Sequence, residues 1–168
     1  AVRQLDHPAM PRDVALEWPD FLMADAVAAL GESAEAELLA LQSEAATDVR
    51  INPVKLRDRR VLRKKLAGCG FKCHLNTLSP IGIRLEKRTR TSDLPEWRKG
   101  LFEYQDEGSQ IVALLCDARP GMQVVDMCAG AGGKALVMAA QMQNRGRVLA
   151  LDTDAERLER GGERMRRA

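Results

Sequence analysis

No apolar run in the 168-residue chain approaches the roughly 20 residues that a membrane-crossing helix needs. The start shows no basic segment followed by an apolar core, so no signal peptide is expected and the expected setting is the cytoplasm. Four cysteines, at 69, 73, 116 and 128, form no paired CxxC pattern, and reduced thiols suit that setting. Cys69 and Cys73 straddle a glycine with only His74 beside them, a poor zinc set, so no metal is expected. His7 stands next to Pro8 in a loop-like stretch and reads as a surface residue. These absences exclude a membrane-spanning protein, a disulfide scaffold and a zinc module.

A large net charge is absent too, but the overall value of +2 conceals a segregation along the chain. From Arg50 to Lys99 there are 15 basic and 4 acidic residues, whereas the remainder carries 11 basic and 20 acidic. A basic block inside an acidic chain points to a local nucleic-acid surface. Its densest part is a helix expected over Leu56 to Leu66, with Val61, Leu62 and Leu66 on the buried stripe. Arg57, Arg59, Arg60, Arg63, Lys64 and Lys65 cannot all face a core and are the candidate phosphate contacts, with Lys72, Arg84, Lys87, Arg88 and Arg90 nearby. A plain solvated helix face is the competing explanation. Around this helix Val49 and Ile51 alternate as a strand, and Phe71 to Leu75 and Ile81 to Leu85 read as two more.

The chemistry is carried further along. After the Pro120-Gly121 turn, Met122 to Asp126 reads as a buried strand, Met127 to Gly133 as a loop of small residues, and Lys134 to Ala140 as a helix. With Gly130, Gly132 and Ala135 in register, the loop fits the GxGxxG/A template of nucleotide-binding α/β folds. Small residues let a cofactor lie on backbone, and the helix start offers unpaired N–H groups. Arg147 to Leu151 reads as a parallel strand ending at Asp152, where a ribose-binding acid belongs, with Thr153-Asp154 capping the next helix. Asp126, at the mouth of the first strand, repels a pyrophosphate but tolerates a sulfonium and an ammonium. This favours S-adenosylmethionine over a nicotinamide dinucleotide.

Several ordered segments resemble the Nol/Nop/Sun family of RNA cytosine-5 methyltransferases. Tyr104-Gln105-Asp106-Glu107-Gly108-Ser109-Gln110 is similar to that family's VQDxxSQ, and Pro120-Gly121 with Val124-Val125-Asp126-Met127-Cys128-Ala129 to its PGxxVLDxCA. Gly132-Gly133-Lys134 matches its GGK, and Arg50-Ile51-Asn52-Pro53-Val54-Lys55 its RxNxxK strand. Leu78 to Leu85 resembles a later strand of the same region, and Trp18-Pro19 fits the N-terminal helices. The family loop usually reads CAAPGGKT; here Gly130, Ala131 and Ala135 stand at the second small residue, the proline and the threonine, so the loop is expected to be less preorganised.

The resemblance implies an S-adenosylmethionine-dependent RNA methyltransferase acting on ribosomal RNA, with Cys128, Ala129, Gly130, Ala131, Gly132, Gly133, Lys134 and Asp152 at the cofactor. Catalytic cysteines are expected beyond Ala168, so none is assigned and the chain alone is expected to be inactive. Cys128 lies under the cofactor, the wrong side for attack on a base. The predicted fold is α/β: an N-terminal helical layer over 1–46, a small basic α/β module over 47–104, and the first half of a Rossmann-like methyltransferase domain over 105–168. Val124, Val125 and the helix face of Leu136, Val137 and Ala140 are expected to lack a partner, which predicts self-association. The rival functions are a non-catalytic RNA-binding module with a vestigial loop and, more distantly, a nicotinamide-dependent oxidoreductase.

Overall fold

A computed structural model describes residues 10–87 and 90–168; His7 and Arg88 lie outside the described residues. The chain divides into two compact units, Ala1–Ala45 and Ala46–Ala168. Among the described residues the first holds three helices, α1 (Arg12–Ala15), α2 (Met23–Leu30) and α3 (Ala34–Leu41), joined by single 3-10 turns at Asp20–Leu22 and Gly31–Ser33. Its core is Leu16, Ala26 and Leu38, with Trp18 and Met23 packed on them. Trp18 is thus an anchor inside this unit. Ser33 does not cap α3 with its side chain; its hydroxyl donates back to the Leu30 carbonyl at 2.8 Å.

In the second unit β1 (Thr47–Ile51), α4 (Arg59–Gly68), β2 (Cys73–Leu75), β3 (Gly82–Leu85), the short helix α5 (Pro95–Arg98) and β4 (Phe102–Tyr104) come first. The strands form an antiparallel sheet in the order β2-β3-β1-β4. Helix α4 starts at Arg59 rather than Leu56 because Asp58 caps it, its carboxylate accepting the Arg60 N–H at 2.8 Å. Leu62 and Leu66 are buried against the sheet, whereas Val61 is 41% exposed and off the expected stripe.

The chain continues through α6 (Glu107–Leu115), β5 (Gln123–Asp126), α7 (Gly133–Gln141), β6 (Arg147–Ala150) and α8 (Ala155–Arg167). Strands β5 and β6 pair in parallel, Val124 opposite Val148 and Val125 opposite Leu149. Strand, loop, helix and parallel strand follow in the order of a Rossmann-like half. Asp106 caps α6 by accepting the Ser109 N–H, and Asp154 caps α8 by accepting the Arg157 N–H.

Helices α6 and α7 share a core with the antiparallel sheet, since Ala113 of α6 and Val137 of α7 pack with Val49, Ile51, Ile83 and Phe102, while β5 and β6 pack in a second cluster. Residues 47–104 and 105–168, read from sequence as separate modules, therefore share an interior. Val124 and Val148 pack on Ala118, Met138 and Met142, so the expectation that Val124 and Val137 lack partners is overturned. The helices cover one face of the β5-β6 pair, while on the other Val125 and Leu149 are 54% and 42% exposed. On α6 the buried residues are Gln110 and Ala113, and Val112 and Leu115 face outward. Gln110 is held by polar contacts, accepting from the Ser79 hydroxyl at 2.6 Å and donating to the Gln105 carbonyl at 2.8 Å.

Candidate functional site

Two carboxylates stand at the adjoining ends of the parallel strands. Asp126 closes β5, is almost fully buried, and keeps one oxygen, Oδ2, with no protein partner. Its other oxygen faces the Cys128 N–H and the Lys134 ammonium, both at 3.4 Å, and Lys134 Nζ also donates to the Cys128 carbonyl at 2.6 Å. Asp152 follows β6. It accepts the Gly130 N–H at 2.6 Å and the Asp154 N–H at 3.0 Å, which hold its carboxyl below the usual carboxylate range, helped by the charges of Arg157 and Lys134. Asp152 thus reaches across to the glycine loop, as a β-strand acid in this topology should.

The loop runs from Met127 to Gly132, turns tightly through the Gly132 N–H to the Ala129 carbonyl at 2.9 Å, and enters α7 with Gly132 as N-cap at φ +80°. No side chain caps α7, so its first N–H groups remain available to a ligand. The glycines serve a purpose the sequence did not reveal. A Cβ at Gly130 would lie 3.2 Å from the Arg157 guanidinium, and one at Gly132 would lie 3.1 Å from the Met165 methyl. The missing side chains also let α8 approach the loop, and a Cβ at Gly161 of α8 would lie 3.3 Å from the Ala131 backbone.

Beneath the loop sits a buried guanidinium. Arg50 of β1 is 1% exposed and donates from Nε to Gln105 Oε1 at 2.5 Å and from Nη2 to the Gly133 carbonyl at 3.3 Å. Burial draws it down to about 10, against the opposing pull of the Glu103 carboxylate, so it stays charged at neutral pH. Glu103 of β4, also buried, accepts from Arg164 Nε at 3.0 Å and from Arg167 Nε at 3.0 Å. Arg164 reaches on to the carbonyls of Ala131 and Tyr104, and Arg167 lies 3.6 Å over the Trp97 ring. Arg50 was visible in the sequence only as part of a motif, and Glu103, Arg157 and Arg164 not at all. Their signal is tertiary: a cation in the middle of a buried strand, and arginines on a helix that reads as merely solvated.

The predicted phosphate contacts separate into two groups. Arg57, Arg60 and Lys64 are exposed, Arg63 is half-buried, and none of the four side chains makes an ion pair among the described residues. Arg59 is already engaged: its Nη1 donates to the carbonyls of Asn76 and Gly82, each at 3.0 Å, and of Ser79, and so closes the turn before β3. Lys65 is also engaged, pairing with Glu96 at 3.1 Å. Nearby, Arg84 is tied to Asp48 across β1 and β3.

Cysteines are not clustered. Cys128 is exposed on the loop, Cys69 and Cys116 are exposed elsewhere, and burial pushes the Cys73 thiol up. Among the described residues no group of three or more His, Cys, Asp or Glu is placed to hold a metal, and no helix is long and apolar enough to cross a membrane.

Comparison with known proteins adds the lineage. Residues 113–168 match the model for 16S rRNA methyltransferase RsmB/F. Ribosomal RNA small subunit methyltransferase B of Xylella fastidiosa is 33% identical over 159 residues, 93% of this chain and 36% of the relative. A 28S rRNA (cytosine-C(5))-methyltransferase of Mus musculus is 36% identical over 84 residues, half of this chain and 18% of the relative. Together these matches support a partial member of the Sun family over the part the chain spans. A methyltransferase homolog from Pyrococcus horikoshii has the same fold, with a TM-score of 0.82 and 26% identity over 96% of this chain and 53% of that one. The chain therefore spans about a third of the length of the bacterial relative. The Sun-family segments occupy connected positions: the RxNxxK strand is β1 with Arg50 under the loop, the Gln105 segment leads into α6, and the GGK opens α7.

Proposed function

We propose that this chain is the donor-binding and RNA-holding part of an S-adenosylmethionine-dependent RNA cytosine-5 methyltransferase acting on ribosomal RNA. The observation that carries the proposal is the buried Asp126 carboxylate with its unpartnered oxygen at the mouth of the glycine loop. An acceptor without a donor there suits a ligand that brings an ammonium, whereas a pyrophosphate would face repulsion. Lys134 offsets part of that charge but leaves Oδ2 untouched. Asp152 stands at the ribose position, with Gly130 fixing one of its oxygens and further lone pairs to accept hydroxyls. Cys128, Ala129, Gly130, Ala131, Gly132, Gly133 and Lys134 form the wall of this site. When bound, the donor supplies the electrophilic methyl group; the residues described here hold and orient it.

RNA is held by Arg57, just before α4, and by Arg60, Arg63 and Lys64 on α4, with Arg59 and Lys65 removed from the set because each already has protein partners. Cytosine-5 transfer needs a thiolate added to C6 of the base. Cys128 is on the donor loop and the other three cysteines lie off it, so the 168 residues by themselves bind donor and RNA without transferring the methyl group. Incubation of the purified chain with radiolabelled donor and ribosomal RNA tests this. No incorporation is the expected result, and incorporation lost in Cys128→Ser contradicts it.

One observation favours the rival of a non-catalytic RNA-binding module. Asp152 is already satisfied by two backbone N–H groups, with the Arg157 guanidinium set against Gly130. Titration of S-adenosylmethionine separates the two: saturable binding supports the methyltransferase, and RNA binding without donor binding supports the module.

A further inference from the structure

Between two left-handed glycines, Gly130 at φ +52° and Gly132 at φ +80°, Ala131 belongs to a loop with unusual backbone freedom and no ring to fix it. Such a loop loses much entropy when it is ordered, so its conformation needs outside contacts. Two arginines from opposite ends of the second unit provide them. Arg164 Nη1 of α8 donates to the Ala131 carbonyl at 3.3 Å, and Arg50 Nη2 of β1 donates to the Gly133 carbonyl at 3.3 Å. The Ala131–Gly132 and Gly133–Lys134 peptide groups are therefore held by guanidiniums. Since the oxygen and the N–H of a trans peptide point opposite ways, holding each carbonyl also directs the N–H behind it.

The arginines are themselves fixed. Arg164 Nε is bound by the buried Glu103 carboxylate at 3.0 Å and its Nη2 by the Tyr104 carbonyl at 3.2 Å. Arg50 Nε is bound by Gln105 at 2.5 Å. Glu103, Tyr104 and Gln105 are consecutive, so one short segment orients both guanidiniums. Arg167 shares Glu103 but touches no loop carbonyl, stacking on Trp97 instead. We propose that Arg164 and Arg50 are positioning residues for the donor loop, clamping its two carbonyls so that Gly130 to Lys134 is preformed for the methyl donor. This rests on the donor-site reading above. Neither arginine touches the donor, and both act through the backbone they hold.

The clamp and mere docking of α8 give different results when Arg164 and Arg167 are compared, because both bind Glu103 and only Arg164 binds the loop. The experiment measures S-adenosylmethionine affinity by calorimetry, and hydrogen exchange at the Gly130, Gly132 and Leu136 amides, for the parent chain, Arg164→Gln, Arg164→Lys and Arg167→Gln. Loss of one charge-assisted hydrogen bond to the loop should weaken donor binding about tenfold and speed loop exchange by a similar factor in Arg164→Gln. Arg164→Lys keeps a charge beside Glu103 without the fork, and should show the same loop effects if the glutamine variant fails to fold. Arg167→Gln should lower the melting temperature and leave loop exchange and affinity near those of the parent. Unchanged loop exchange in both Arg164 variants overturns the clamp, and so does an equal loop effect in Arg167→Gln. A parent that fails to bind the donor refutes the donor-site reading instead, and the exchange comparison still decides whether the arginines hold the loop.

Discussion

Buried in β1, the Asp48 carboxylate accepts two N–H groups from Arg84, at 2.8 and 2.9 Å, and the Glu107 N–H at 3.1 Å. It thereby ties the antiparallel sheet to the start of α6. Burial alone would raise its pKa, but the Arg84 and Glu107 bonds prevail and hold it below the usual carboxylate range. A depressed carboxylate contributes stability above its unfolded value, lost as pH falls through the folded one. Thermal melts should therefore decline below about pH 4, and Asp48→Ala should cost about 2 to 4 kcal/mol at pH 7, discounted for the partly exposed Arg84. A variant that melts like the parent at both pH values contradicts this. At the donor site Asp152→Ala should weaken S-adenosylmethionine binding about tenfold, the worth of one charged hydrogen bond, as read by calorimetry. Equal affinity removes Asp152 from the site. Among single residues, the cap Asp154 and the position of Asp152 just past β6 were legible in the sequence because the cap's partner lies within a few positions and the acid follows a known template. Arg50, Glu103 and Arg164 were not, since their pairing spans 61 positions for Glu103 and Arg164 and 83 for Arg50 and Gly133.

At the scale of elements, α4 shows where counting charges misleads. The six basic candidates on α4 and just before it read alike in sequence, yet Arg59 closes a turn and Lys65 joins Glu96, leaving Arg57, Arg60, Arg63 and Lys64 facing water or half-covered. Replacing Arg57, Arg60 and Lys64 by glutamine should reduce the salt dependence of RNA binding by about 2 to 3 on a log–log plot without changing the melting temperature. Arg59→Gln should act in the opposite way, lowering stability by about 1 to 3 kcal/mol and leaving the salt slope unchanged. Filter binding across a salt series, with melts alongside, reads both; an unchanged slope in the triple variant rejects α4 as the RNA surface. On α6 a polar residue, Gln110, takes an interior position because Ser79 and the Gln105 carbonyl satisfy its amide, while Val112 and Leu115 face outward. Strand, loop, helix and strand around Gly130 were legible because periodicity and glycine spacing are local signals; that the glycines admit α8 was not, because α8 approaches from across the fold.

Over the whole molecule, the α/β class and the Rossmann-like half were legible from the order of elements, whereas the packing of α6 and α7 on the antiparallel sheet was not, since it depends on Ala113 and Val137 meeting distant strands. The expected bare surface exists, but on the other side of the parallel pair. Val125 and Leu149 are exposed side by side, with Met127 at 74% and Leu151 at 42% at the strand ends. We infer from this face that the chain self-associates, and sedimentation should show concentration-dependent oligomers that Val125→Lys with Leu149→Glu disperses. A monomer at all concentrations contradicts the inference. Everything functional rests on the loop being a methyl-donor site and not a dinucleotide site or a relic, so the most direct test is a calorimetric titration of the 168-residue chain with S-adenosylmethionine and, separately, with NADH. The account predicts saturable one-to-one binding of S-adenosylmethionine, weakened in Asp126→Asn, and no binding of NADH. Binding of NADH in preference, or of neither ligand, would contradict it.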